Sequence, residues 1–406
     1  MAVTLFTEKE NCSGCGACMN ACGQNAISME EDEFGFRYPK IDADLCIHCG
    51  ACTKACGFQD PPVKAQPQAC YAAVAKEDAL LERSSSGGVF AVLAQELLRR
   101  GGVVYGAAMP LEAGGFAPKH IRIADEKELY LLQGSKYVQS DTGTTFFQAK
   151  EDLKAGKQVL YSGTPCQIAG LLKYLGKAYD NLLTVEVICH GVPSAKLFRD
   201  HVAALEEACG EKITEYAFRS KQKKQSMCTK MVFRDKNGAH RAQIQNGHQF
   251  SYMHYFLQGC TYRDSCYSCP FATSSRVADI TLGDFWGFHQ EYPHECRFVD
   301  SKGISCVLAN TPRGRRAMEN MHGRLTVMDA AFEKIARHNK QLTTPSACPK
   351  ERETILRCYR DEGYRAVDGY FRRTCKKDIL LHALKGLIPQ GLKRQIKRGK
   401  GRLKAR

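Results

Sequence analysis

Two short runs of four cysteines near the N-terminus constrain the fold of this 406-residue chain more than any other feature. "CSGCGACMNACG" covers residues 12–23, and "CIHCGACTKACG" covers residues 46–57, so both read C-x2-C-x2-C-x3-C. Small residues stand between the thiols, and they let the backbone approach a bound group and donate N–H groups to sulfur. Thiols grouped in this way, and repeated, indicate two metal centres rather than isolated structural cysteines.

The spacing is typical of bacterial ferredoxins with two [4Fe-4S] clusters, in which the fourth cysteine of each run ligates the other cluster. We therefore assign the ligands in a crossed pattern: Cys12, Cys15, Cys18 and Cys56 for one cluster, and Cys46, Cys49, Cys52 and Cys22 for the other. Residues 26–42, between the runs, predict a hairpin. Both runs end in Cys-Gly where Cys-Pro is usual, and a pair of zinc sites is the disfavoured alternative.

The overall composition is that of an ordinary soluble globular protein, with 44% hydrophobic and 25% charged residues. No apolar run approaches the roughly 20 residues that span a bilayer. The first residues, "MAVTLFTEKENC", lack the pattern of a secretory signal peptide. We therefore expect a cytoplasmic protein whose 21 cysteines serve metal or redox chemistry rather than disulfide bonds.

The net charge of +15 is unevenly distributed. Residues 1–60 carry four Lys or Arg against nine Asp or Glu, whereas residues 376–406 carry eleven against one. The basic charge is thus most concentrated in a short tail, and we expect no nucleic-acid partner. Apolar residues precede the basic ones, so this tail is either a partly disordered, solvated segment or a contact for an anionic membrane surface or an acidic partner.

A second region begins after a predicted linker over residues 60–80. "SSSGGVF", residues 84–90, places a glycine-rich turn before a predicted helix that starts from a serine N-cap and ends near residue 100. Backbone N–H groups at such a helix N-terminus suit a phosphate, although most turns of this kind only cap the helix.

Two further strand–turn–helix units predict a largely parallel α/β sheet, whose ligands bind at the carboxyl ends of the strands. "YSGTPCQIAG" places Cys166 at a helix N-terminus, where thiolate is stabilised, and "VEVICHGVPS" places Cys189 after a strand. "GCTYRDSCYSCP" supplies Cys260, Cys266 and Cys269. These five cysteines predict a third metal site, with Cys166 or Cys189 as fourth ligand. We favour iron–sulfur over zinc because two clusters already lie in the chain.

Five motifs, in order behind a two-cluster ferredoxin, resemble the beta subunit of coenzyme F420-reducing hydrogenase and formate dehydrogenase: "SSSGGVF", "QGSKYVQS", "GTPCQIAGL", "CHGVPS" and "RVADITLGDFWG". The resemblance covers roughly residues 70–330. It implies an oxidoreductase that is an iron–sulfur flavoprotein, holding FAD and a further [4Fe-4S] cluster. Such a protein passes electron pairs between the flavin and the deazaflavin coenzyme F420, or here another soluble acceptor.

The resemblance also implies roles for particular residues. Ser86, Gly87 and Gly88 are expected to contact the flavin, and Lys136 and Tyr137 to form a side of its site. Asp284 is either a hydrogen-bond partner in that site or a turn former. No residue is assigned as catalytic.

Together these observations predict an α+β and α/β fold, a ferredoxin domain followed by a mixed α/β flavoprotein-like domain. We divide it into a ferredoxin domain at 1–60, a flavin-binding part at 61–160, an α/β part with the third cluster at 161–345, and a helical basic tail at 346–406. An Asn-Gly hairpin is predicted within 231–244 and a helix over 325–342. The expected partner is a redox protein or a soluble electron carrier. The alternative function is a non-enzymatic electron-transfer or redox-sensing module that serves a partner enzyme.

Overall fold

The computed structural model describes residues 4–221, 227–299, 302–377 and 379–381. Its strands are β1 Ile27–Glu31, β2 Arg37–Ile41, β3 Ala69–Ala75, β4 Val103–Ala108, β5 Leu111–Glu112, β6 Gly115–Phe116, β7 Lys119–Ile123, β8 Val159–Gly163, β9 Leu182–Val187, β10 Lys212–Ala217, β11 Cys228–Arg234, β12 His240–Asn246, β13 Ile280–Asp284, β14 Ser305–Ala309 and β15 Leu325–Asp329. Its helices are α1 Ala17–Ala21, α2 Ala51–Lys54, α3 Asp78–Arg83, α4 Val89–Arg99, α5 Thr145–Lys154, α6 Pro165–Leu175, α7 Ala195–Cys209, α8 Ser251–Leu257, α9 Phe288–Glu291, α10 Pro312–Glu319, α11 Phe332–Ala336, α12 Glu351–Glu362 and α13 Tyr364–Thr374.

The N-terminal domain consists of the predicted hairpin, β1–β2, and one short helix in each cysteine run. The two strands pair antiparallel from Ile27 opposite Ile41 to Glu31 opposite Arg37. Helices α1 and α2 each begin directly after a glycine in the left-handed region, Gly16 and Gly50. A residue with a side chain is strained in that conformation. The two runs therefore fold alike because they place glycine at the same position.

An eight-stranded sheet forms the centre of the rest of the chain, in the order β15-β3-β14-β13-β9-β8-β4-β7. The sheet is mixed rather than largely parallel, since β13, β9, β8 and β4 pair parallel and the remaining neighbours pair antiparallel. Strands β4 and β7 are joined by the short β5–β6 excursion instead of a crossover helix, which makes them antiparallel. Residues 61–160 and 161–345 both supply strands, and residue 160 itself lies within β8.

Helices cover both faces of this sheet. Val104 and Leu160 point to the face that α4 covers, whereas their neighbours Tyr105 and Tyr161 point to the face that α5 and α6 cover. This alternation follows from the two-residue period of a strand. The predicted helix after the glycine-rich turn is confirmed as α4. Its N-cap is Gly88 in the left-handed region, not a serine.

Two expectations on the C-terminal side had different outcomes. The Asn-Gly hairpin is confirmed as β11–β12. The helix over 325–342 is wrong, because residues 325–329 pair with β3 as the edge strand β15, and only 332–336 form an α-helix, with a short 3-10 turn at 340–342. Helices α12 and α13 occupy part of the predicted tail, and its basic end from residue 382 lies outside the described residues. Among the helices that the structure describes, none has the length and apolar character needed to cross a membrane.

A buried ion pair anchors the loop that precedes β13. Arg276 Nε donates to Glu186 of β9, and the two side chains are 1% and 0% exposed. Arg276 also donates to the carbonyl oxygens of Phe271 and Thr273. The pair therefore fixes this loop against the end of β9.

We predict that Glu186→Gln destabilises the protein by roughly 3 kcal/mol, because it leaves the Arg276 charge buried without a counter-charge. Anaerobic guanidinium denaturation of the full chain measures this. The matched control is Asp78→Asn, which removes the exposed ion pair with Lys302 and should cost under about 1 kcal/mol. Equal losses in the two variants would contradict the prediction.

Candidate functional site

Two cavities of the N-terminal domain are each lined by four thiols from both cysteine runs. The first is lined by the outer thiol set, Cys22, Cys46, Cys49 and Cys52. The second is lined by the inner thiol set, Cys12, Cys15, Cys18 and Cys56. The structure thus brings together the two crossed sets that the repeat predicts. Helix α1 joins them, because it contains Cys18 and ends at Cys22.

The two sets differ in their exposure. Cys49 of the outer set is exposed, and Leu45 and Ile47 beside it are 50% and 63% exposed. In the inner set Cys15 is buried, and burial raises the pKa of its thiol to about 12. The outer set therefore includes an exposed thiol, whereas no thiol of the inner set is exposed.

The inner set packs against α6 through two glycines. A Cβ atom on Gly170 would lie 2.9 Å from Cys15 Sγ, and one on Gly57 would lie 2.4 Å from the carbonyl oxygen of Ala169. Gly57 is the residue that replaces the usual proline after Cys56. A proline ring there would overlap the α6 backbone, so this departure from the usual run has a packing cause. Gly23, at the same position of the first run, has no such neighbour among the described residues.

Four other cysteines form a third thiol set: Cys166, Cys189, Cys266 and Cys269. The pKa of Cys189 is raised well above its usual value by burial and by the negative charges of the other three thiolates. Cys166 and Cys189, the two candidates for the fourth ligand, thus both lie close to the C-x2-C pair, Cys266 and Cys269. Burial also raises the pKa of Cys166, which outweighs the stabilisation expected from its helix N-terminus.

Cys260 is not part of this set. It is 2% exposed and packs in the apolar cluster around α8 and α13. The cysteines whose charge acts on it are Cys348 and Cys375. The closeness of Cys260 to the C-x2-C pair in the sequence suggested a role that the structure does not support.

The inner and third thiol sets are neighbours. The negative charge of the Cys166 thiolate raises the pKa of Cys15. The Ser13 hydroxyl reaches toward the Cys166 thiol, yet it completes a well-aligned hydrogen bond with no atom of the described chain. The Ser13 hydroxyl therefore lies between the inner and third thiol sets.

The donor sets fit iron–sulfur clusters. Four thiols are the ligand set of a [4Fe-4S] cluster. Nowhere in the described ranges do three His, Cys, Asp or Glu side chains converge closely enough to hold a single metal ion. The thiols of the outer and inner sets instead surround cavities, as ligands of a polynuclear cluster do.

Two cations, Arg219 and Lys221, contact the glycine-rich turn, and Lys136 lies in the loop beside it; these three residues are called the basic cluster. Arg219 Nη2 donates to the carbonyl oxygen of Ser85 at 3.0 Å, and Lys221 Nζ donates to that of Ser86 at 2.6 Å. Lys136 Nζ donates to two carbonyl oxygens of its own loop. Burial lowers the pKa of Lys221 to about 8 and that of Lys136 to about 7.

Two carboxylates face these cations: Asp284 acts on Arg219 and Lys221, and Glu82 acts on Lys221. Asp284 accepts from Arg219 at 2.7 Å, so it is an ion-pair partner in the site. Tyr137 accepts a hydrogen bond from Arg219 through its hydroxyl and stacks on Phe256. The Trp286 ring lies 5.5 Å from the Arg219 guanidinium. The three cations thus exceed the two carboxylates by one charge, which an anionic ligand would balance.

The turn itself packs closely against the sheet. A Cβ atom on Gly87 would lie 2.2 Å from the carbonyl oxygen of Ala73, and the Gly87 N–H donates to Ser305 Oγ at 2.9 Å. Ser86 Oγ donates to the carbonyl oxygen of Ile304. Gly87 therefore permits the close approach to β3 and β14, and the flavin contacts of Ser86, Gly87 and Gly88 stay predictions.

The basic cluster adjoins the third thiol set. His190 follows Cys189 directly. Burial lowers the pKa of His190, and the negative charge of nearby Asp284 raises it by a smaller amount. Arg219 and Lys221 were missed by the sequence analysis, because "AFRSKQKK" reads as a solvated charged stretch. Only their position after β10 brings them to the turn.

Three segments match known protein families. Two of the matches are to the coenzyme F420 hydrogenase/dehydrogenase beta subunit: residues 70–146 match its N-terminal part, and residues 156–331 match its C-terminal part. Residues 11–59 match "4Fe-4S dicluster domain". The matched segments include the outer, inner and third thiol sets and the basic cluster.

The chain is also similar to one chain of the F420-reducing [NiFe] hydrogenase complex from Methanosarcina barkeri. The two are 15% identical, the similarity covers 77% of this chain and 94% of that one, and the TM-score is 0.40. No curated protein matches this chain.

We predict that Cys189→Ala lowers the iron content of the anaerobically reconstituted chain from about 12 to about 8 atoms, because one four-iron cluster loses a ligand. Iron and acid-labile sulfide assays measure the loss. Cys260→Ala is the matched control and should retain about 12 atoms, since that thiol lies outside the three sets. An iron content that falls equally in both variants would remove Cys189 from the ligand set.

Proposed function

We propose that this chain is an iron–sulfur flavoprotein, because it belongs to the family of coenzyme F420 hydrogenase/dehydrogenase beta subunits and carries a 4Fe-4S dicluster domain. Its task would be to transfer electrons between three clusters, held by the outer, inner and third thiol sets, and a flavin. The single observation that carries the proposal is the closeness of these sites, because the charge of Cys166 in the third thiol set acts on Cys15 in the inner set, and that of Asp284 acts on His190 beside Cys189.

The basic cluster is the part of the chain that suits the flavin. A bound FAD supplies the ability to exchange electrons singly with iron–sulfur clusters and in pairs with a hydride acceptor. The ammonium groups of Lys136 and Lys221 lie where they can neutralise an anionic group such as its pyrophosphate. The Arg219–Asp284 ion pair orients the surrounding side chains. His190, next to Cys189 of the third thiol set, lies close to this ion pair.

The hydride acceptor in this proposal is coenzyme F420 or another soluble two-electron carrier. The alternative, an electron-transfer module without its own flavin, predicts a reconstituted chain with iron and sulfide but no flavin. Anaerobic reconstitution with iron, sulfide and FAD, quantified together, separates the two. A flavin spectrum that bleaches on reduction supports the proposal, and a fully iron-loaded chain that binds no flavin would overturn it.

The outer thiol set is the proposed contact with the redox partner. It is the set with an exposed thiol, Cys49, and exposed Leu45 and Ile47 flank it. Exposed Asp42 and Asp44 precede them in the same loop. A small apolar surface with acidic neighbours suits a partner that presents an apolar contact edged by basic side chains.

We predict that Lys221→Met weakens FAD binding roughly tenfold or more, because it removes a charge-assisted contact. Below pH 8 the Lys221 ammonium is charged, so native affinity should fall as the pH rises through about 8. The variant should lose that part of the pH dependence. Fluorescence titration with FAD between pH 6 and 9 measures both effects. Lys154→Met, which changes an exposed lysine of α5, is the control and should bind FAD as the native chain does.

We predict that Leu45→Lys slows oxidation of the reduced clusters by cytochrome c, a basic protein used as a probe, by roughly threefold or more. The change removes apolar contact area and adds a repelling charge beside the outer thiol set. Stopped-flow absorbance measures the rate. Oxidation by a small neutral quinone, menadione, should be unchanged. Leu111→Lys is the control, since Leu111 is 48% exposed but lies outside the ferredoxin domain; equal slowing there would contradict the assignment.

A further inference from the structure

The largest fully buried side chain of the described residues is a cation, Arg263. It lies in the loop between α8 and Cys266, and its guanidinium reaches into the N-terminal domain. Nε donates to the carbonyl oxygen of Cys12 at 2.8 Å, and Nη2 donates to that of Arg37 at 2.9 Å. The guanidinium also lies 3.9 Å from the centre of the Tyr38 ring. Arg263 therefore connects the ferredoxin domain to the loop that carries two thiols of the third set.

No carboxylate in the described part of the chain forms an ion pair with Arg263. The oxygens that accept hydrogen bonds from Arg263 are all neutral, and they include Gln139 Oε1 at 3.3 Å from Nη1. A buried charge without a counter-charge costs several kcal/mol. The positive charge of Arg263 must therefore be balanced by a group other than a carboxylate.

Cysteine sulfur is the candidate counter-charge within reach. Arg263 Nη2 lies 3.9 Å from Cys12 Sγ, in the inner thiol set. The same guanidinium acts electrostatically on Cys166 and Cys266, in the third set. Arg263 is therefore placed between two sets of four thiols, and the cysteines of the outer set are absent from its contacts.

We propose that Arg263 is the shared counter-charge of the inner and third clusters and raises their reduction potentials. This inference rests on the proposed function, in which both thiol sets hold clusters. Each cluster gains one electron from its neighbour and one negative charge on reduction, while Arg263 keeps its charge and no proton moves. A fixed cation close to both stabilises the reduced forms. The outer cluster lacks this contact, so electrons are drawn inward from the surface.

The test is an anaerobic redox titration of the full chain, followed by electron paramagnetic resonance of the reduced clusters. In Arg263→Gln the ratio of reduced to oxidised inner and third clusters at a fixed potential should fall about tenfold, which corresponds to about 59 mV for one electron. The reduction potential of the outer cluster should fall by less than a third of that shift of about 59 mV. Arg263→Lys, which keeps the charge, should restore most of the native potential.

Two further variants keep the test decisive. Gln139→Glu places a carboxylate beside the unchanged Arg263, so it should lower the same two potentials even if Arg263→Gln loses its clusters. Arg352→Gln is the matched control, because Arg352 is already paired with Asp264 and its removal should leave all three potentials unchanged. Unshifted inner and third potentials in Gln139→Glu, at full iron content, would overturn the inference. Failure of the proposed function appears separately, as missing iron or missing flavin in the native chain.

Discussion

The close packing of the ferredoxin domain on helix α6 is the contact on which the rest of the site depends. Two glycines permit it, Gly57 against the α6 backbone and Gly170 against the Cys15 sulfur. Without that approach Cys15 would not lie beside Cys166, which is in the first turn of the same helix. The contact therefore does more than attach one domain to another, because it sets the separation between the inner and third thiol sets.

The sequence predicted the parts of the site whose spacing is local. The eight N-terminal thiols repeat within two short runs, and the crossed sets follow from that repeat. The third set was predicted only as a pool of five cysteines, because Cys166, Cys189 and the C-x2-C pair meet only where strands and loops end at the same edge. Cys260 shows the limit of this reasoning, since a thiol six residues before Cys266 packs against the same apolar cluster as Cys266 yet lies outside the third thiol set.

Charged residues were the least predictable part of the site. Arg219 and Lys221 belong to a basic stretch that resembles a solvated surface. Arg263 lies in a segment whose cysteines, and not its arginine, indicated a functional role. Their roles depend on burial, and burial follows from the whole fold. The same applies to β15, where pairing with β3 prevailed over the helical pattern of residues 325–342.

The crossed arrangement of the thiols has a consequence for biosynthesis. A ribosome releases the chain from its N-terminus, and neither the inner nor the outer thiol set is complete until residues of the second run have emerged. The inner set waits for residue 56, and the third set waits for residue 269. The order in which the three thiol sets become complete is thus fixed by the chain itself, and a nascent chain arrested between the two runs presents only incomplete sets.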